Sequence, residues 1–138
     1  MRLSIKVYGE PIAQPRHKAV SFGGKARMYL EAKHPVHGFK MELKAAAAEF
    51  MEGEIADCPV TLKCVFLLPR PKRLVWKKRP MPREPHTSKP DTDNLIKAVK
   101  DALTGIVYRD DSLIWRESSE KLYAAGDERP QTIIELDW

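Results

Sequence analysis

Val60-Thr61-Leu62-Lys63-Cys64-Val65-Phe66-Leu67-Leu68, residues 60–68, is the stretch on which the fold turns. It is rich in β-branched and aromatic groups and carries a single charge, so it reads as a central strand. Working outward, residues 36–52 place Val36, Phe39, Leu43, Ala46, Ala47 and Phe50 at three- and four-residue spacings, with Pro35 before and Gly53 after, which predicts an amphipathic helix. Residues 2–8 alternate Leu3, Ile5 and Val7 with polar neighbours, the period of a half-buried strand. Gly9, Pro11 and Pro15 break that strand and open a loop that Gly23-Gly24 keep non-helical. On the other side, residues 69–90 hold six prolines, which forbid a continuous helix or ladder. Helical period returns over residues 92–104, where Leu95, Ile96, Val99, Ala102 and Leu103 share a face and Gly105 ends it. Ile106–Tyr108 reads as a short strand and Leu113–Ala124 as a longer one, on either side of a turn at Arg109-Asp110-Asp111-Ser112. Gln131–Asp137 is a last strand, with Ile133 and Glu135 on one face and Ile134 and Leu136 on the other. This order predicts a single α+β domain over residues 1–138, a mixed β-sheet with two packed helices.

Composition narrows the class. The chain has 138 residues, of which 43% are hydrophobic and 31% charged, enough apolar content for one globular core and too much for disorder. No uncharged apolar run approaches the ~20 residues that span a bilayer, so no membrane association is expected. The opening MRLSIKVYGEP meets charges and a proline before a signal-peptide apolar region could form. Two cysteines cannot make a disulfide scaffold, and a reducing cytoplasm is the expected location. Cys64 reads as a small buried hydrophobe, and Cys58 as a loop residue. The four histidines, including His34 and His37, lack zinc-site spacing. Trp115, Tyr123 and Trp138 read as core or dimer-contact aromatics. No organic cofactor is expected.

Charge says more. There are 24 Lys plus Arg against 19 Asp plus Glu, with a pI near 9.2. The excess is concentrated in two segments. Residues 14–27 carry Arg16, Lys18, Lys25 and Arg27 without an acid, and residues 70–89 carry eight basic residues against Glu84 alone. An acidic body with two basic segments calls for a polyanionic partner, because each Lys or Arg at a phosphate releases condensed counterions. Candidate nucleic-acid contacts are Arg16, Lys18, Arg70, Lys72, Arg73, Trp76, Lys77, Lys78 and Lys89. Trp76 inside the basic loop suits stacking on an unpaired base, and equally suits anchoring the loop by burying its ring.

The densest chemistry lies in residues 89–111, KPDTDNLIKAVKDALTGIVYRDD. Asp91 and Asp93 stand where the proline-rich loop becomes a helix, and Asp110 and Asp111 on a turn that can return beside the helix start. Oxygens gathered there suit a hard cation such as Mg²⁺ or Mn²⁺. Lys97, four residues after Asp93, is on the same helix face and could offset charge on a transferring phosphoryl group. Structural readings compete: Asp91 or Asp93 as an N-cap, Asp93 and Lys97 as a surface pair, Asp110 and Asp111 as turn formers.

The run Lys89-Pro90-Asp91-Thr92-Asp93-Asn94-Leu95-Ile96-Lys97, with Asp101-Ala102-Leu103 and then Val107-Tyr108-Arg109-Asp110-Asp111-Ser112, resembles the RusA family of Holliday junction resolvases. Gly9-Glu10-Pro11 and Gln14-Pro15-Arg16 are similar to the N-terminal part of many members. The resemblance implies a small homodimeric, Mg²⁺-dependent endonuclease, of a kind common in prophages, that nicks four-way junction DNA symmetrically. It makes Asp91, Asp93 and Asp111 the metal-holding catalytic aspartates and Lys97 the catalytic lysine. Met28-Tyr29-Leu30 departs from the aromatic-Thr-Pro element of relatives, and the proline-rich loop is long. The competing functional reading is a non-catalytic basic DNA-binding protein of prophage origin; a third is a single-strand or RNA-binding module.

Overall fold

A computed structural model describes residues 1–15, 33–76 and 80–138 fully, and the backbone of 18–22 and 25–29. In chain order the strands and helices are β1 (Arg2–Tyr8), β2 (Lys18–Phe22), β3 (Lys25–Tyr29), α1 (Val36–Phe50), β4 (Val60–Leu68), β5 (Glu84–Pro85), α2 (Thr92–Leu103), β6 (Ile114–Tyr123) and β7 (Gln131–Asp137). A five-stranded sheet runs β1-β7-β4-β6-β5, so β4 is central, as its composition predicts. β1 and β7, and β7 and β4, are antiparallel; β4 and β6 are parallel from Val60↔Ile114 to Leu68↔Tyr123. The α+β reading with two helices on a mixed sheet therefore holds.

One face of the sheet carries the core. Leu3, Ile5 and Val7 of β1, Leu62, Cys64 and Phe66 of β4, and Ile134 and Leu136 of β7 are buried in one cluster with both helices. α1 contributes Val36, Phe39, Leu43 and Ala47, and α2 contributes Leu95, Ile96, Val99, Ala102 and Leu103. Each such side chain adds about 1.5–3 kcal/mol when fully buried. The helices are also tied by charge: Lys40 Nζ, on a side chain only 10% exposed, lies 2.6 Å from the Asp101 carboxylate. The Asp101-Ala102-Leu103 element thus has a packing role, the acid holding α1 while its two neighbours enter the core.

Four expectations are corrected. Phe50, the last residue of α1, is 56% exposed, the buried face of the helix ending at Ala47. Ile106–Tyr108 is a turn, not a strand: Val107 and Tyr108 are fully buried, bridge to Ala56 replaces a ladder, and the Tyr108 hydroxyl donates to the Lys100 carbonyl at 2.7 Å. The first basic segment is not only a loop, since β2 and β3 pair antiparallel from Lys18↔Tyr29 to Phe22↔Lys25. Trp115 is 63% exposed, which removes the core half of its core-or-dimer-contact reading and leaves the other, and the Arg116 guanidinium lies 5.0 Å from its ring centroid. The reason lies in the sheet: β5 pairs with β6 only at Glu84↔Tyr123 and Pro85↔Leu122, leaving the first part of β6 beyond that short pairing. Tyr123 is buried and Trp138 packs on the core, as expected. No helix among the described residues is long and apolar enough to cross a membrane.

The proline-rich segment is organised from within. The Arg70 side chain, 5% exposed, donates to the carbonyls of Ala124 (2.8 Å), Leu74 (3.2 Å) and Pro82 and reaches Glu84, while its guanidinium lies 5.5 Å from the Trp76 ring centroid. Arg83 and Glu128 brace the same region through two contacts of 2.9 and 2.6 Å. The hydrogen bond from Arg83, with a further one from the Ala125 N–H, holds the Glu128 carboxyl at about 2. Burial pushes the Cys64 thiol well up, consistent with an inert core residue.

Two outcomes follow. Arg70→Met leaves buried carbonyls unpaired and lowers stability by about 3 kcal/mol, read by urea unfolding, with faster proteolysis within residues 69–90; wild-type stability would contradict this. Because folding depresses the Glu128 pKa, its contribution is present above about 4.5 and fades as pH falls towards 2. Glu128→Gln therefore flattens the wild-type loss of stability over that interval, and an unchanged acid limb would contradict it.

Candidate functional site

The start of α2 is built by its flanks. Asp91 keeps an extended backbone (φ −76°, ψ 146°) after Pro90, and its carbonyl accepts the first helical bond from the Leu95 N–H at 3.1 Å. Its side chain makes no capping hydrogen bond. Asp91 is therefore the N-cap by backbone position, while its exposed carboxylate is left to the surface beyond. Asp93, in the first turn, is exposed where negative charge favours the helix dipole.

Two clefts open on either side of this first turn. One, of about 530 Å³, lies between α2 and β6 and is lined by Asp93, Lys97, Lys100, Asp111, Glu117 and the neighbouring Ser118 and Ser119. The parallel crossover brings these residues together from a helix, a turn and a strand. Lys97 is exposed and no ion pair joins it to Asp93, so the simple surface-pair reading of those two fails. Lys100 is instead paired with Glu117 at 3.1 Å. The second cleft, of about 580 Å³, is lined by Gln14, Pro15, Lys89, Pro90, Asp91 and Asn94. Asn94 lines both.

Asp93, Lys97 and Asp111 thus share a cleft, and Asp91 occupies its neighbour. Among the described residues, no three His, Cys, Asp or Glu side chains are gathered as one metal-holding group. The chemistry of the donors still fits a hard cation: carboxylates and hydroxyls on one side, a carboxylate and amides on the other. Asp110 has a turn role. Its carboxylate accepts from the Ser112 N–H at 3.1 Å, which holds its pKa below the usual range.

The expected nucleic-acid contacts divide. Lys72, Arg73 and Lys89 are exposed. Arg70 is spent inside the loop, as its five-per-cent exposure and carbonyl partners show. Trp76 is half-buried with Arg70 beside its ring, which suits the anchoring reading. Arg16, Lys77 and Lys78 lie outside the described residues, and Lys18 is described only by its backbone in β2.

Sequence reasoning missed three residues. Lys121 of β6 donates to the carbonyls of Ser88 and of Pro90 (2.8 Å), fastening the segment that delivers Lys89 and Asp91 to the sheet. Beside it, burial first and the Lys121 charge second push His86 below the ordinary imidazole range. Glu117 enters the cleft from a strand whose sequence reads as plain alternation, and Gln14 stands out only within the Gln14-Pro15-Arg16 run that resembles relatives, with no role assigned to its side chain.

The chain is 32% identical over 127 residues, 88% of each chain, to Uncharacterized protein YqaN of Bacillus subtilis (strain 168). Residues 8–137 match the family described as Endodeoxyribonuclease RusA, covering β2 through β7 and every residue of both clefts. With the match spanning nearly the whole chain, the protein belongs to the RusA endodeoxyribonuclease family.

Proposed function

We propose that this chain is a divalent-cation-dependent endodeoxyribonuclease that resolves four-way DNA junctions by paired symmetric nicks, working as a homodimer in DNA recombination and repair. The observation that carries the reading is the shared cleft of Asp93, Lys97 and Asp111, with Asp91 next to it, in a member of this family. Carboxylates repel a phosphodiester backbone unless a cation intervenes, so acids in clefts that also carry the exposed Lys89 and Lys97 favour a nuclease over a plain DNA binder. Asp91, Asp93 and Asp111 hold Mg²⁺, or Mn²⁺ in its place. When bound, such an ion supplies Lewis-acid polarisation of a phosphodiester oxygen and a more acidic water.

The chain's own groups do the rest. The Lys97 ammonium, free of an ion pair with Asp93, offsets negative charge growing on the scissile phosphate. Lys100 holds Glu117 against the cleft wall and limits its repulsion of DNA. Lys121 sets the position of Asp91 through the Pro90 carbonyl. The exposed basic residues bind phosphates on either side of the cut. Two copies related by a two-fold axis present two clefts to the two like strands of an opened junction.

The test is a synthetic four-way DNA junction incubated with the protein, with and without Mg²⁺. Paired nicks that vanish with chelator are expected, and Asp91→Asn abolishes cleavage while binding the junction as wild type does. Cutting by Asp91→Asn at the normal rate would overturn the assignment, and binding without cleavage would favour a non-catalytic DNA binder. Lys121→Met should bind normally and cleave about 10–100-fold more slowly, with Lys121→Arg recovering most of the rate, since misplacement by about 1 Å has that effect. An unchanged rate in Lys121→Met would remove its positioning role.

A further inference from the structure

One edge of β6 is left open by its own chain. β4 takes the other side of the strand along its length, whereas β5 reaches this one only at Leu122 and Tyr123. His86 extends that contact by one residue, its backbone N–H donating to the Lys121 carbonyl at 2.9 Å. Backbone groups alternate sides along a strand, so those of Ser119 and Glu117 point outward as the Lys121 carbonyl does. Among the described residues, no strand pairs with this edge before Leu122. Arg116, Glu117, Ser118 and Glu120 are exposed along it, and Trp115, just before them, is 63% exposed. An unpaired edge is a template for another strand, and its charges decide which strand it accepts.

The charges on this edge match those of its own copy. Two β6 strands set antiparallel about a two-fold axis at Ser118 place Glu117 opposite the partner's Ser119, a pair that exchanges backbone hydrogen bonds. Arg116 then stands opposite the partner's Glu120, and Glu120 opposite the partner's Arg116, in the pairs whose side chains come closest. A one-residue shift would set outward-pointing backbone groups against inward-pointing ones. A two-residue shift one way sets Glu117 against the partner's Glu117. The same shift the other way requires Lys121 and Leu122, which His86 and Pro85 already hold. Of these registers, only the one centred on Ser118 satisfies both backbone and charge.

We propose that two copies of this chain join through residues 116–120 of β6, making one continuous sheet from two. The inference rests on the homodimer of the proposed function and names where its copies meet. A two-fold axis perpendicular to the sheet keeps the helices of both copies on the same face. The cleft lined by Ser118 and Ser119 and its counterpart then flank the axis on that face, so one surface offers two cutting sites to one junction. Trp115 falls opposite the partner's Lys121 at each end of the ladder, where its exposed ring is covered.

The experiment is sedimentation equilibrium of the full chain without DNA, with variants that exchange the paired charges. Wild type is expected to dimerise. Arg116→Glu alone and Glu120→Arg alone each set like charges opposite one another twice and weaken the dimer about 10–100-fold, while the double variant restores it. In a Cys58→Ser background, Ser118→Cys is expected to give a disulfide-linked dimer on oxidation by diamide, because Cβ atoms opposite each other lie about 4.5–5.5 Å apart. Lys63→Cys, exposed on β4, is the control that stays uncross-linked. Weakening by the single reversals without recovery in the double variant would overturn the register. A dimer unmoved by either reversal and not cross-linked at residue 118 would overturn the β6 pairing and leave both the homodimer and the nuclease reading standing. A monomeric wild type that still nicks four-way junctions would overturn the pairing and the homodimer together, and leave only the nuclease.

Discussion

The parallel pairing of β4 with β6 is the constraint from which the rest follows. Parallel neighbours cannot be joined by a hairpin, so the chain must leave the end of β4, cross the sheet and return to where β4 began. Residues 69–113 make that crossing, and Asp91, Asp93, Lys97 and Asp111 lie on it. The crossing lays α2 along β6, and the turn that re-enters β6 carries Asp111 into the groove between them. Because β5 covers only the far end of β6, that groove stays open to a large partner.

Electrostatics explains why such a groove is stable enough to exist and what it can receive. The carboxylates of α2 and of the elements beside it are held differently. Asp110 is tied to a backbone N–H, Glu117 is neutralised by Lys100 and Asp101 is occupied by Lys40. Asp91, Asp93 and Asp111 have no such engagement among the described contacts, and with the neutralised Glu117 they are the acids that line the clefts. Engagement therefore separates the acids that build the fold from those left for chemistry, a distinction that spacing alone does not make. The basic residues sort in the same way, with Arg70 turned inward to hold the loop and Lys72, Arg73 and Lys89 left outside.

Much of this was legible in the sequence, and the failures have physical causes. The alternation of Leu3, Ile5 and Val7 and the stripe from Leu95 to Leu103 correspond directly to buried faces, because in these elements the core lies on one side throughout. Phe50 and Trp115 fit their local patterns but sit where the covering layer has ended, which periodicity cannot register. The β2–β3 hairpin escapes a reading of residues 14–27 by charge, although Gly23-Gly24 between two short runs is a hairpin signal. The motif at residues 89–112 pointed to the family, yet the division of its aspartates between two clefts depends on where the segment at Gln14 is fastened. That contact comes from eighty residues away and has no sequence signature.

The account stands or falls on whether cations bind at the first turn of α2. Crystals of the protein soaked in Mn²⁺ and measured at a wavelength where manganese scatters anomalously test this most directly. The account predicts anomalous density beside Asp93 and Asp111, within about 2.6 Å of carboxylate oxygens. Clefts without such density in crystals that bind Mn²⁺ elsewhere would contradict it.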